Sequence, residues 1–182
     1  MRKVIVTEYI TVDGVFEEPG MWSFQFWGEE SAKYKYDELF AADALLLGRL
    51  TYEGFAKAWP TMKDTGEFGD RMNGIPKYVV STTLKDLTWN NSHLIQGNIA
   101  EEVARLKQME GQNILVEGSG KLVRTLMQHN LVDEYQFMLY PVVLGSGKRL
   151  FGDGIDKTAL KLVETKTFST GVVILAYQPA GK

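Results

Sequence analysis

The sequence predicts an α/β protein: a mostly parallel central sheet with an antiparallel hairpin at its C-terminal end. Three observations predict it. Short apolar runs alternate with segments of helical periodicity along the 182 residues, which is the pattern of right-handed β-α-β units. Runs such as "VIV" and "ALLL" are apolar at consecutive positions, as strands covered on both faces require. The last two strand-like segments are separated only by Ser169-Thr170-Gly171, too short for a crossover helix and suited to a hairpin.

Each element follows from its local pattern. "KVIVTEYITV" (3–12) is the first strand, and "SAKYKYDELFAAD" (31–43) the first helix. "ALLL" (44–47) is a short buried strand, and "TYEGFAKAW" (51–59) a helix that Pro60 ends. Strands follow at 77–81 and 92–96. The helix over 98–110 has apolar residues at 99, 103 and 106, with Asn98 placed as its N-cap and Gly111 just past its end. A strand at 113–117 leads into a helix over 119–130 with Leu122, Val123, Leu126 and Met127 on one face and His129 as its C-terminal cap. The segment 132–143 is a longer strand, and 159–168 with 171–179 forms the hairpin. Residues 13–28 and 60–76 lack periodicity and read as loops; loops of such length are usually functional or disordered. No linker, repeat or low-complexity run divides the chain, so 1–182 is expected to be a single domain.

Composition narrows the function. Hydrophobic residues at 45%, charged residues at 24% and a net charge of −3 describe a globular protein. No basic cluster stands out, which argues against a nucleic-acid partner. The chain has no cysteine, and His93 and His129 are its only histidines, so no metal site is expected. The apolar core of the N-terminal stretch is too short for a secretory signal. No window approaches the roughly 18 apolar residues of a membrane span. A cytoplasmic location is the expectation.

In open α/β sheets, ligands settle beyond the carboxyl ends of the strands. Three strand ends here share one design: Gly48-Arg49 with Thr51 as a candidate N-cap, Ser81-Thr82-Thr83, and Gly118-Ser119-Gly120-Lys121-Leu122 opening a helix. Backbone N–H groups at a helix start, with a nearby cation, suit a phosphate. Gly48 would let the phosphate approach and Arg49 would pair with it. Gly-Arg after a strand is also what an ordinary turn with a surface arginine looks like. "EGSGKL" and "GSGKR" are not phosphate-binding P-loops, because Leu115 or Val142 stands where the first glycine belongs and Leu122 or Arg149 where Ser or Thr must hold magnesium.

Further candidates carry other chemistry. Glu117 ends an apolar strand just before a glycine-rich helix start, where a partly buried carboxyl could exchange protons with a substrate or merely bond the backbone. Asp13 follows the first strand, either at the mouth of the site or as a turn residue. Trp22, Phe24 and Trp27, with Phe26, form an aromatic cluster that serves as a substrate lid, as core or as a subunit interface. "VVLGSGKRLF" (142–151) is a ligand-side flap or a glycine-rich turn.

Taken in order, "TVDG", "LLLGRLTYEGF", "KYVVSTT" and "ILVEGSGKLVRTLMQHNLVDEYQFMLYPVVLGSGKRLF" resemble the dihydrofolate-reductase-like superfamily, especially the reductase domain of the riboflavin-biosynthesis deaminase–reductase. The resemblance spans about residues 2–178. It implies a sheet with helices on both faces, NADPH as hydride donor and a homodimer. It also implies a small heterocyclic or ribosylamino-pyrimidine-like substrate, as for a 5-amino-6-(5-phosphoribosylamino)uracil reductase. By analogy Gly48, Arg49 and Thr51 would hold cofactor phosphates, Ser81 and Thr82 the adenosine 2′-phosphate region, and Gly118 to Leu122 the pyrophosphate and ribose. Glu117 would lie toward the substrate with Asp13 and the 22–27 aromatics. Two departures qualify it. The acid that dihydrofolate reductases carry in the first helix would fall near Ala32, with Glu29 and Glu30 offset. The absence of cysteine leaves no zinc site for a deaminase, so a stand-alone reductase-like domain is expected. A non-catalytic nucleotide-binding or regulatory module, or a dimeric interaction protein with a vestigial pocket, would share the fold.

Overall fold

A computed structural model describes residues 1–181. Among these residues the chain forms strands β1 (Val4–Thr11), β2 (Ala42–Gly48), β3 (Lys77–Val80), β4 (Ser92–Ile95), β5 (Asn113–Glu117), β6 (Glu134–Tyr140), β7 (Leu160–Thr167) and β8 (Val173–Pro179). The helices are α1 (Glu29–Phe40), α2 (Arg49–Ala58), α3 (Gly66–Gly74), α4 (Ile99–Gln108) and α5 (Gly120–Gln128). All strands join one sheet in the order β4-β3-β2-β5-β1-β6-β8-β7. The first six strands run parallel, and β8 pairs antiparallel with both β6 and β7.

Side-chain alternation along the strands builds a core on each face. Val4, Val6, Leu46, Ile114 and Val116 pack with Val103 and Leu106 of α4 and Leu122, Val123 and Leu126 of α5. The intervening Ile5, Leu45, Leu47 and Leu115 pack with Leu39 of α1, Tyr52 of α2 and Met72 of α3. Helices therefore cover both faces, as expected. A third cluster of Trp22, Met138, Tyr140, Phe168, Val172 and Ile174 closes the hairpin end.

Ala42 and Asp43, expected at the end of the first helix, instead open β2, and short 3-10 turns occupy Pro19–Met21 and Phe24–Phe26; the largest difference from expectation is a whole helix. Residues 60–76 contain α3, whose nine residues include Gly66, Gly69 and Gly74, each costly in a helix. Burial of Met72, followed by Ile75, supports a helix that local propensity does not announce. Next to it, the buried Lys77 side chain donates to the carbonyls of Asn73 at 2.6 Å and Asn90 at 3.0 Å. Its Nζ lies 4.1 Å from the centre of the Trp89 ring. Desolvation lowers the lysine to about 8, and it ties the end of α3 to the segment entering β4.

Candidate functional site

Because β5 sits between β1 and β2, the crossovers on its two sides leave in opposite directions, and a crevice opens beyond the carboxyl ends of these strands. A cavity of about 1740 Å³ occupies it. Every residue expected to hold cofactor lines this cavity: Gly48, Arg49, Thr51, Ser81, Thr82, Gly118, Ser119, Gly120, Lys121 and Leu122. Glu117, Phe24 and Trp27 line it too, whereas Asp13 and Trp22 do not.

One wall consists of two interlocked turns. Gly48 is the N-cap of α2, so Thr51 lies within the first turn of the helix instead of capping it. A Cβ on Gly48 would come within 2.0 Å of Ser119 Oγ, and one on Gly118 within 2.5 Å of Thr51 Oγ1. The two glycines thus let the β2–α2 and β5–α5 turns pack against each other, a need that sequence reasoning had assigned to a phosphate alone. Gly118 and Ser119 both adopt left-handed backbone, each with φ near 66°. For Ser119 this conformation costs of order 1–3 kcal/mol.

Neither α2 nor α5 has a side-chain cap or an acidic residue in its first turn. Their leading N–H groups and helix dipoles are thus uncompensated by any local carboxylate or hydroxyl. Arg49, Lys121 and Arg124 bring positive charge to the same wall, with Arg49 also bonded to Glu53 at 3.0 Å. Ser81 Oγ accepts from the backbone of Thr83 at 3.1 Å and Leu84 at 3.0 Å, shaping the third turn. This donor set fits the phosphates of a dinucleotide, and the glycine-to-side-chain contacts fix its shape.

The floor has the opposite character. Lys35 on α1 is buried, ion-paired with Glu38, and donates to Glu117 Oε1 at 3.0 Å. Thr7 Oγ1 donates to the other oxygen of Glu38 at 2.6 Å. Glu8 is buried alongside, with its Oε1 lacking a hydrogen-bond partner. Burial pulls Lys35 down, but the carboxylates of Glu38 and Glu117 outweigh it and hold the ammonium well above its usual range. Burial raises Glu38, against the pull of Lys35. Thr7, Glu8 and Lys35 line the cavity with Glu117. Sequence reasoning missed all but Glu117. The signal was present: Ser31, Lys35 and Leu39 recur at intervals of four and form the buried face of α1, so Lys35 lies on a core stripe.

Two expectations require correction. Asp13 does not reach the cavity. Its carboxylate accepts from Thr11 Oγ1 at 2.6 Å and from the N–H groups of Leu144 at 3.2 Å and Gly145 at 2.8 Å. These bonds, that to Thr11 first, lower it to about 2, so the residue fastens the 142–151 loop. Trp22 is core: its ring packs edge-on against Tyr140 at 5.3 Å and its Nε1 donates to Glu17 O at 2.9 Å. The aromatic cluster divides, with Trp22 and Phe26 anchoring it in the third core and Phe24 and Trp27 facing the cavity. The 142–151 loop is strapped to the 13–17 segment through the Val15–Arg149 bridge and the Glu17–Lys148 pair at 3.2 Å, and its Lys148 and Arg149 reach the rim. Among the described residues no group of three or more His, Cys, Asp or Glu is arranged to hold a metal, and no helix is long and apolar enough to cross a membrane.

The crevice and the sheet order together define a dihydrofolate-reductase-like fold. The chain belongs to the RibD C-terminal domain family, whose model matches residues 2–174. It is 34% identical over 180 residues to the uncharacterized protein YyaP of Bacillus subtilis (strain 168), covering 97% of this chain and 94% of that one. Among solved structures it resembles a putative riboflavin biosynthesis protein from Shewanella sp. PV-4, with a TM-score of 0.78, 18% identity and coverage of 97% and 98% of the two chains. A diaminohydroxyphosphoribosylaminopyrimidine deaminase/5-amino-6-(5-phosphoribosylamino)uracil reductase from Thermotoga maritima gives a TM-score of 0.67 at 16% identity, over 98% of this chain and 57% of that one. Dihydrofolate reductase from Enterococcus faecalis, complexed with NADP(H), gives 0.65 at 14%, over 98% and 96%.

Proposed function

We propose that the protein is an NADPH-dependent reductase that transfers hydride to a small heterocyclic, ribosylamino-pyrimidine-like molecule. The observation that carries this reading is the division of one cavity: uncapped, cation-flanked helix N-termini on one wall and a buried lysine–carboxylate floor beneath. The first suits a dinucleotide's phosphates and the second a reacting ring. Gly48, Arg49, Thr51 and the 118–122 turn would hold the pyrophosphate side, and Ser81 and Thr82 the adenosine end. When bound, NADPH supplies the hydride. The protein's own residues orient donor and acceptor, exclude water and manage one proton. Phe24 and Trp27 at the rim would cover the acceptor ring. The family membership and the fold shared with an NADP(H)-complexed reductase support the reading. We extend it to a cytoplasmic homodimer, for which exposed Leu162 and Val163 on edge strand β7 offer apolar surface. Light scattering at working concentration tests that part.

Titration with NADPH and with NADH, followed by quenching of tryptophan fluorescence, tests the cofactor, since Trp27 lines the cavity. Tight NADPH binding with much weaker NADH binding is expected. Consumption of NADPH with 5-amino-6-(5-phosphoribosylamino)uracil or other reducible heterocycles then tests turnover. Absence of binding to either nucleotide, in folded protein, would overturn the reductase reading. Binding without oxidation by any acceptor would favour a nucleotide-binding module on the same fold.

A further inference from the structure

The floor of the cavity carries one carboxyl more than its single cation can serve. Lys35 contacts Glu38 and Glu117, so two carboxylates already share one ammonium. Glu8 is the third. It is 5% exposed, lines the cavity, and leaves its Oε1 without a partner. The groups that act on it electrostatically are Lys35 and Glu38 from α1 and Glu117 from β5, while the N–H of Gly118 provides a backbone hydrogen bond. Its registered neighbour on β6 is the uncharged Phe137. A third negative charge buried among these groups would have no counter-ion, and an isolated buried charge costs several kcal/mol or neutralises itself. A neutral carboxylic acid, by contrast, carries an O–H that can be donated.

We propose that Glu8 is the acid from which the reduced substrate takes its proton, and that Glu117 serves as its Lys35-paired neighbour rather than as the donor. The assignment rests on the reductase reading. In the reaction, the carbon of the acceptor's C=N or C=O bond gains a hydride from the reduced nicotinamide, which is thereby oxidised. The π pair moves to the heteroatom, the O–H bond of Glu8 breaks, and the heteroatom takes that proton. Glu8 is left as a carboxylate and regains a proton from water when the product leaves. Burial, followed by the charge of Glu117, holds the Glu8 carboxyl well above the usual carboxylate range against the pull of Lys35. The carboxyl is thus biased toward its protonated form, and the residue lines the cavity.

Infrared spectroscopy of the protein without added nucleotide is the direct test. At neutral pH the wild type should show a protonated-carboxyl C=O band that disappears in Glu8→Gln. A band unaffected by Glu8→Gln, or absent from the wild type, would overturn the assignment. Should Glu8→Gln fail to fold, wild-type protein carrying carbon-13-labelled glutamate gives the same answer by NMR titration. One glutamate still protonated at neutral pH is expected, and full ionisation of every glutamate there overturns the proposal. NADPH quenching on the same samples separates the two readings. No quenching removes the reductase reading whatever the band does, whereas quenching without a Glu8 band overturns only the proton assignment.

Discussion

Helices α4 and α5 both begin after a short polar turn, yet their N-termini are built for different purposes. At α4, Asn98 Oδ1 accepts from Ala100 N at 3.1 Å and Glu101 N at 3.4 Å, and its amide donates to Glu101 Oε1 at 2.9 Å. Glu101 and Glu102 occupy the first turn. The end is complete in itself: donors are satisfied and the dipole is matched by negative charge. At α5, Ser119 is held in left-handed backbone without capping, no acid follows, and the charged residue of the first turn is Lys121. The start of α2 repeats the second design. A protein that can cap a helix well leaves the two ends facing this cavity open, as a site for an anion requires.

The strongest way to break the comparison is to disturb the contact between the two open turns. Gly48→Ala places a methyl 2.0 Å from Ser119 Oγ and 2.5 Å from Ser119 Cβ. Ser119 cannot swing away cheaply, because its own backbone is already constrained at φ 66°. A loss of about 1–3 kcal/mol in urea denaturation is expected, as for other overpacked sites, together with loss of NADPH binding. Adding Ser119→Gly, which removes the obstructing side chain, should recover most of the stability. A double variant no more stable than Gly48→Ala would mean that the turns do not interlock.

A smaller effect is expected at the cation. Arg49→Ala removes a half-exposed guanidinium that pairs with Glu53, so stability should hardly change. NADPH affinity should fall about tenfold, the scale of one charge-assisted hydrogen bond. A larger loss for NADPH than for NADH would assign Arg49 to the 2′-phosphate. Equal losses would assign it to the pyrophosphate, and no loss would remove it from the site. Asn98→Ala is the control from the other helix. It should cost about 1 kcal/mol and leave NADPH affinity unchanged.

Glycine-rich wall and acidic floor were not equally legible in the sequence. Gly48-Arg49 and the 118–122 turn could be read because each is a local event: an apolar strand stops and a helix starts within a few residues. Asn98 was legible for the same reason. Asp13 and Trp22 sit in equally suggestive stretches, but their roles depend on what packs against them, the 142–151 loop for one and Tyr140 for the other. Glu8, Lys35 and Glu38 look like ordinary polar positions on a strand and a helix. Their meaning appears only when α1 lies over β1 and β5, bringing residues 82 positions apart to 3.0 Å. The α3 helix was hidden by its glycines, whose propensity tertiary packing overrides.

The finest test of the comparison is Lys121→Glu, which gives α5 an acid in its first turn, as α4 has. Lys121 is exposed and forms part of the cavity wall, so the change touches no core packing. If the α5 N-terminus is an incompletely compensated dipole, the new carboxylate should stabilise the folded protein by about 0.3–1 kcal/mol at low salt, read from the shift in urea midpoint. The same carboxylate faces the region assigned to phosphate, so NADPH affinity should fall as stability rises, and both effects should shrink at high salt. Opposite signs from one substitution are what a helix end kept open for a ligand predicts. A variant that loses stability and affinity together would show only local damage. One that gains stability with undiminished NADPH affinity would place the phosphates elsewhere in the cavity.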